Sequence, residues 1–285
     1  MLCAKQIYDD LRREKSNVVL LSATKNRDVY RYDYDLLDDD ESRKTSANRD
    51  ASLCRFFSEQ GFDVVYSSRE EFEEVRHWVD ENIQDCQRIN GEDGAATIGG
   101  DGNEITPGTL YWFTGLSGAG KTTIGKLLYA KLRKEKDNVV LMDGDMLRSA
   151  LKRYDYSRAY REKRSYRDVE ICKMITDQGI DIVWCGINMF DGVREWSRAH
   201  IPNYREIYLE VPMEVLFQRD TKGLYAGARE GRIKDVVGMD QKAELPKSPD
   251  VHYVNDGSVP PEQVLGIIWQ QLEEIRAAQE KKHSC

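Results

Sequence analysis

The sequence predicts an α/β fold: a parallel sheet covered by helices on both faces, preceded by a smaller α/β domain. Three observations predict it. From residue 109 onward, short apolar runs alternate with longer amphipathic stretches, the pattern of strands and crossover helices. A glycine-rich turn joins the first of those runs to the first of those stretches. A polar, glycine-bearing segment at 90–108 separates this region from an earlier and shorter alternation.

In that earlier part, NVVLL at 17–21 and DVVYS at 63–67 predict short buried strands, with helices expected over 3–14, about 48–60, and 70–83. The stretch RDVYRYDYDLLDDDESRKTSANRD between the first strand and the second helix is polar and acidic, and reads as a mobile loop. Asp9-Asp10 and Asp38-Asp39-Asp40 read as solvated runs, and His77 and Trp78 as packing residues of an amphipathic helix. Residues 1–89 are therefore expected to form a small α/β domain of unknown role, a structural or dimerising extension that makes a homodimer the oligomer to test. The segment NGEDGAATIGGDGNEITPG, residues 90–108, reads as a linker because it holds almost no bulky apolar residue.

The second domain, 109–285, opens with a strand at 110–114, a helix at 121–135 and a strand at 138–142. After an arginine-rich segment come a helix at 160–178, a strand at 181–185, a helix at 191–199 and a strand at 205–211. A basic helical stretch is expected over 213–231, then a strand at 251–254 and the amphipathic final helix PEQVLGIIWQQLEEIRAAQ.

Composition narrows the function. The chain has 285 residues and a net charge of -8, against a general binder of nucleic acid or anionic membrane. No apolar stretch approaches the ~20 residues needed to cross a bilayer. The start, MLCAKQIYDDLRREK, is too charged for a secretory signal, so the expected location is cytoplasmic. Cys3, Cys54, Cys86, Cys172, Cys185 and Cys285 are scattered without a C-x-x-C, as reduced thiols are, rather than as a zinc site or disulfide frame.

The chemistry is concentrated at LYWFTGLSGAGKTTI, residues 110–124. Gly115, Ser117, Gly118, Ala119, Gly120, Lys121 and Thr122 satisfy G-x-x-x-x-G-K-[ST], with Thr123 following. Backbone amides that all point into one cavity need conformations that side chains obstruct, which the glycines permit. The helix opening at Lys121 adds the positive end of its dipole. Lys121 would then reach the β- and γ-phosphates of ATP, and the Thr122 hydroxyl would take a Mg²⁺ position. The next strand delivers Asp143 and Asp145 at the carboxyl edge of the sheet, where open α/β folds bind ligands. Asp143 is the candidate general base for an acceptor hydroxyl, Asp145 the candidate metal partner, and Arg148 a candidate clamp on an anionic acceptor.

The motifs GLSGAGKTT, DGDMLR and RDTKGLYAGAREGRIKDVVGMD, with their spacing, resemble adenylylsulfate kinase over about 107 to 272. The resemblance implies a P-loop kinase that moves the ATP γ-phosphate to the ribose 3′-hydroxyl of a nucleotide-linked small molecule. It implies that Arg148 binds acceptor phosphate, that Tyr156 stands where the family stacks a phenylalanine, and that Arg161 heads an arginine-rich acceptor segment. It puts Ile187 at the acceptor base, Lys222 near ATP, and a lid over 219–240.

The departures fall on the acceptor side. Arg164 stands where the family has asparagine, Ile187-Asn188-Met189-Phe190 replaces I-S-P-F, and Asp235-Val236-Val237-Gly238 replaces G-F-T-G. These departures look similar to capsule-pathway kinases acting on cytidine diphosphoramidate, so both acceptors stay open. A nucleotide-binding module without turnover is the competing class. The intact Lys121, Thr122, Asp143, Arg148 and Lys222 argue against it.

Overall fold

The computed structural model describes residues 12–14, 16–22, 53–67, 87–88, 105–150, 155–220 and 222–283. The acidic loop at 33–50, both aspartate runs, the helix expected at 70–83 with His77 and Trp78, and most of the 90–108 segment lie outside them. Of the helix expected at 3–14, only a helical turn at 12–14 is described.

The larger sheet has five strands, β4 (Leu110–Thr114), β5 (Val139–Asp143), β6 (Asp181–Cys185), β7 (Tyr204–Glu210) and β8 (Val251–Val254). They run in the order β5-β6-β4-β7-β8, and every pair is parallel. All residues of β6 are buried, as expected of a strand with both faces covered. Successive residues of β4 serve opposite faces because strand side chains alternate. Leu110 and Trp112 join one apolar cluster, Phe113 the other. Trp112 is the register partner of Trp184, and their rings stack at 5.0 Å.

Helices α2 (Lys121–Leu132) and α8 (Pro261–His283) supply Ile124, Leu128, Val264 and Ile268 to the Phe113 face. The opposite face is covered by α4 (Arg158–Thr176) and α5 (Asp191–His200), through Val169, Ile175 and Val193. The same cluster takes in Val19, Phe57 and Phe62 of the N-terminal part. There β1 (Val18–Ser22), β2 (Asp63–Ser67) and β3 (Gln87–Arg88) form a parallel three-stranded sheet, with α1 at 53–59 leading into β2. Gln60 Oε1 accepts a hydrogen bond from the Leu141 amide at 2.8 Å, satisfying a donor on the unpaired edge of β5. Arg12 donates to the Gln178 carbonyl at 3.1 Å.

Residues 105–108, expected in the linker, are fixed to the larger unit. The Gly108 amide donates to the Thr176 carbonyl at 2.7 Å, and Asn203 donates to the Pro107 carbonyl at 2.9 Å. The stretch 213–231 is two short helices rather than one, α6 (Met213–Gln218) and α7 (Leu224–Arg229). Asp220 accepts from the Leu224 and Ala226 amides at 2.8 Å each, and Gly223 takes φ 62 before α7 begins. A capping carboxylate and a left-handed residue both favour a fresh start over continuation.

β7 carries a charge into the interior. The Glu206 carboxylate is 3.4 Å from Arg194 Nε and 2.9 Å from Arg198 Nη2, and Glu206 and Arg194 are both buried. Without Glu206, Arg194 keeps Asp191 and the Glu244 carbonyl, and Arg198 keeps Asp250. Glu206→Ala is therefore expected to cost about 1–3 kcal/mol, the scale of lost hydrogen bonds to a charged group. Denaturant unfolding of the two proteins measures it, and a loss below about 1 kcal/mol would mean that Asp191 and Asp250 compensate in full.

Candidate functional site

The site is built where β4 and β5 end and α2 and α3 (Gly144–Ala150) begin. The loop between β4 and α2 cannot carry side chains at two critical turns. Gly115 has φ 153, and a Cβ there would lie 2.5 Å from the Leu209 carbonyl oxygen; Gly120 has φ 90, with Asn255 Nδ2 at 2.9 Å from such an atom. The loop is also held from outside. Tyr225 Oη donates to the Ser117 carbonyl at 2.7 Å and Asn255 Nδ2 donates to the Ala119 carbonyl at 3.0 Å. No motif in the sequence signals these two anchors, which lie 108 and 136 residues from the carbonyls they hold.

Lys121 Nζ donates to the Gly115 carbonyl at 2.9 Å and to the Leu116 carbonyl at 2.7 Å. Burial pushes its pKa down to about 8, against the smaller opposing pull of Cys185, Asp143 and Asp145. One residue on, Thr122 Oγ1 donates to Asp143 Oδ2 at 2.6 Å, and the Asp145 amide donates to Asp143 Oδ1 at 2.8 Å. Asp143 is only 8% exposed, with one oxygen toward the phosphate loop and the other toward the start of α3. Thr123 follows on the exposed side of α2.

Asp145 is the exposed carboxylate of the pair. It accepts from Arg148 at 2.5 Å and from Lys222 at 3.4 Å. Partial burial pushes its pKa up, but Arg148 and Lys222 outweigh this and hold it below the usual carboxylate range. Among the described residues no group of three or more His, Cys, Asp or Glu side chains gathers as a metal cage. The oxygens of Thr122, Asp143 and Asp145 are instead a hard donor set open to phosphate. That suits Mg²⁺, which takes few protein ligands and completes its shell with phosphate and water.

The arginines converge on Tyr156. Arg148 and Arg161 lie over its ring at 5.3 and 5.2 Å, and the ring is 41% exposed. Burial, then the nearby Arg164 and Arg148 charges, push the Arg161 pKa down. Arg164 Nε is 3.8 Å from Asp168, while its Nη1 is buried and has no hydrogen-bond partner among the described residues. The Ile187 carbonyl accepts from Thr114 Oγ1 at 2.8 Å. Asn188 is buried with φ 22, and its Nδ2 has no partner among the described residues. A strained backbone and orphaned buried donors are common at ligand sites.

Lys222 reaches the site through Asp145. Val236, expected on the acceptor side, is 3% exposed and packs in the cluster containing Ala119, Leu216 and Tyr225. An aliphatic side chain at this point of the lid gains more from the core than from solvent.

This fold and loop define a P-loop phosphotransferase. The chain belongs to the adenylylsulphate kinase family, whose pattern matches residues 107–254. A cytidine diphosphoramidate kinase from Campylobacter jejuni is 40% identical over 139 residues, which is 49% of this chain and 82% of that protein. An adenylyl-sulfate kinase from Rippkaea orientalis is 36% identical over 169 residues, covering 59% of this chain and 93% of that one. Among solved structures, the Mycobacterium tuberculosis APS kinase in complex with AMPPNP and APS aligns with TM-score 0.54 and 28% identity, over 59% of this chain and 98% of its own. The protein is a kinase that uses ATP. No helix among the described residues is long and apolar enough to cross a membrane.

Proposed function

We propose that this chain transfers the ATP γ-phosphate to a ribose hydroxyl of a nucleotide-linked anion, and that the acceptor is a cytidine diphosphate derivative of the diphosphoramidate type. The observation that carries the reading is the exposed Tyr156, with Arg148 and Arg161 over its ring and the Arg164 charge near Arg161. Mutually repelling guanidiniums favour an anion, and each of the two acceptors brings two negative charges, so the choice between them falls to the base. With Val236 buried in the core, Tyr156 is the ring, among the described residues, that these arginines hold toward the base. Stacking contributes about 1–3 kcal/mol per base, and a small pyrimidine loses least from a single wall. The C. jejuni relative supports the same choice. Adenylylsulfate is the second reading, favoured by the family match and by the ligands of the M. tuberculosis neighbour.

In this reading the loop amides and Lys121 bind the β- and γ-phosphates, and Thr122, Asp143 and Asp145 hold Mg²⁺ or its waters. Mg²⁺, when bound, neutralises charge developing on the transferred group. Asp143 orients the acceptor hydroxyl or takes its proton, Asn188 and Ile187 line the base, and Lys222 arrives with the lid to exclude water. Positioning and charge stabilisation supply most of the rate. The reading also carries a cytoplasmic location and a homodimer, and it treats residues 1–89 with their linker as an extension of the 109–285 kinase unit. The Gln60–Leu141 and Arg12–Gln178 contacts support that extension.

A coupled ADP-release assay tests the acceptor. The kcat/KM for cytidine diphosphoramidate is expected to exceed that for adenylylsulfate by at least about tenfold, equal to about 1.4 kcal/mol of transition-state binding. The reverse order establishes the second reading. No acceptor-dependent ADP with either compound removes both.

A further inference from the structure

We propose that Gln241 is a positioning residue for the acceptor: its side-chain amide fastens the Tyr156 backbone to Asp235 and thereby fixes the ring that faces the acceptor base. The proposal rests on the acceptor site described above and adds a residue that acts through Tyr156.

Gln241 Nε2 donates to the Tyr156 carbonyl at 3.2 Å and to Asp235 Oδ1 at 2.7 Å. Arg161 bridges the same two residues, from Nε to the Tyr156 carbonyl at 2.8 Å and from Nη2 to the Asp235 carbonyl at 2.9 Å. Two donors from different elements therefore clasp one loop to another, across 85 residues of chain in the case of Gln241. The glutamine is buried, where an amide donor without a partner would be costly.

The turn that carries Gln241 does not need this side chain to close. Asp240 accepts from the Asp235 and Val236 amides at 2.7 and 2.6 Å. The Gln241 backbone donates to the Val236 carbonyl at 3.1 Å and accepts from the Gly238 amide at 2.8 Å. The side-chain amide is left to reach outward to Tyr156. It also anchors Asp235, which adopts φ 64, a left-handed conformation that a non-glycine residue holds at a cost unless its side chain is hydrogen-bonded.

The consequence is directional. The Tyr156 ring lies between two guanidiniums and is substantially exposed, so its place depends on its backbone. Loosening that backbone weakens acceptor binding, while the face of the turn that meets the phosphate loop, Val236 and Gly238 against Ala119 and Leu116, keeps its own backbone hydrogen bonds.

Calorimetric titrations of the full chain with cytidine diphosphate, adenylylsulfate and magnesium-ATP test this, using wild type, Gln241→Met and Gln241→Glu. Both variants keep the length of the side chain and remove its donors. The variants are expected to bind whichever acceptor probe the wild type prefers about tenfold more weakly, the scale of one or two lost hydrogen bonds. Affinity for magnesium-ATP is expected to stay within about twofold. In a Tyr156→Ala background, Gln241→Met is expected to weaken acceptor binding no further, because residues acting through one another are not additive. Equal weakening of both ligands, additivity, or unchanged acceptor binding each overturns the proposal. If the wild type binds neither acceptor probe, the acceptor assignment fails and the clasp is read without ligand. A 3-fluorotyrosine resonance of Tyr156, assigned with Tyr156→Phe, is then expected to broaden or split in Gln241→Met. An unchanged single line overturns the proposal.

Discussion

Replacing Lys121 with alanine is expected to lower turnover by about a hundred- to a thousandfold, the loss typical of deleting one preorganised charge-stabilising donor. The ammonium rests on the Gly115 and Leu116 carbonyls, contacts that phosphate oxygens can replace. Its pH signature distinguishes this from damage to the loop. Burial lowers its pKa to about 8, so the charged form is present below that pH and is lost as pH rises through it. The kcat/KM for ATP, which reports the free enzyme, is expected to fall above about pH 8. The kcat is expected to hold to higher pH, since bound triphosphate favours the ammonium. Folding has the opposite sign. The unfolded chain keeps a lysine near 10.5 and binds more protons than the native state above about 8. This group therefore makes the ligand-free protein more stable as pH rises across that window. Activity that declines while thermal stability does not is the expected pair of curves. Wild-type and Lys121→Ala profiles with a common alkaline limb would assign that limb to another group.

The parts of this molecule that can be read in the sequence are those whose physics is local. LYWFT and DIVWC are apolar runs because strands covered on both faces have no polar side to show. The phosphate loop is legible because three glycines, a lysine and a threonine must fall at fixed spacing between a strand and a helix. The break between α6 and α7 has a local signal too, since Asp220 and Gly223 stand at the cap and turn. The basic, helix-favouring residues around them outweigh it in a window average. What is not legible depends on contacts across the chain. Tyr225 and Asn255 hold loop carbonyls 108 and 136 residues away, and nothing in YAGAR or NDG announces it. Glu206 alternates with apolar neighbours in YREIYLE, a pattern that does not foretell a buried carboxylate paired to α5. The position of Val236 along the lid can be read, but the direction of its side chain cannot.

Asp143→Asn is expected to reduce kcat by about a hundred- to ten-thousandfold, the contribution of a positioned general acid–base group. The geometry adds a second consequence. Asp143 receives Thr122 Oγ1 on one oxygen and the Asp145 amide on the other. An asparagine amide can accept only through its carbonyl oxygen, so one of those donors meets an NH₂ group instead. The hydroxyl that would face Mg²⁺, or the start of α3, is thereby turned. The Mg²⁺ concentration for half-maximal rate is accordingly expected to rise as kcat falls. A fall in kcat with an unchanged Mg²⁺ requirement would confine Asp143 to the acceptor hydroxyl. A third readout links the two halves of the site. The Asp143 charge raises the Lys121 pKa against burial, so its removal lowers that pKa further. The alkaline limb of kcat/KM for ATP is expected to move to lower pH in Asp143→Asn. An unmoved limb would mean that the carboxylate and the ammonium do not sense one another across the phosphate loop.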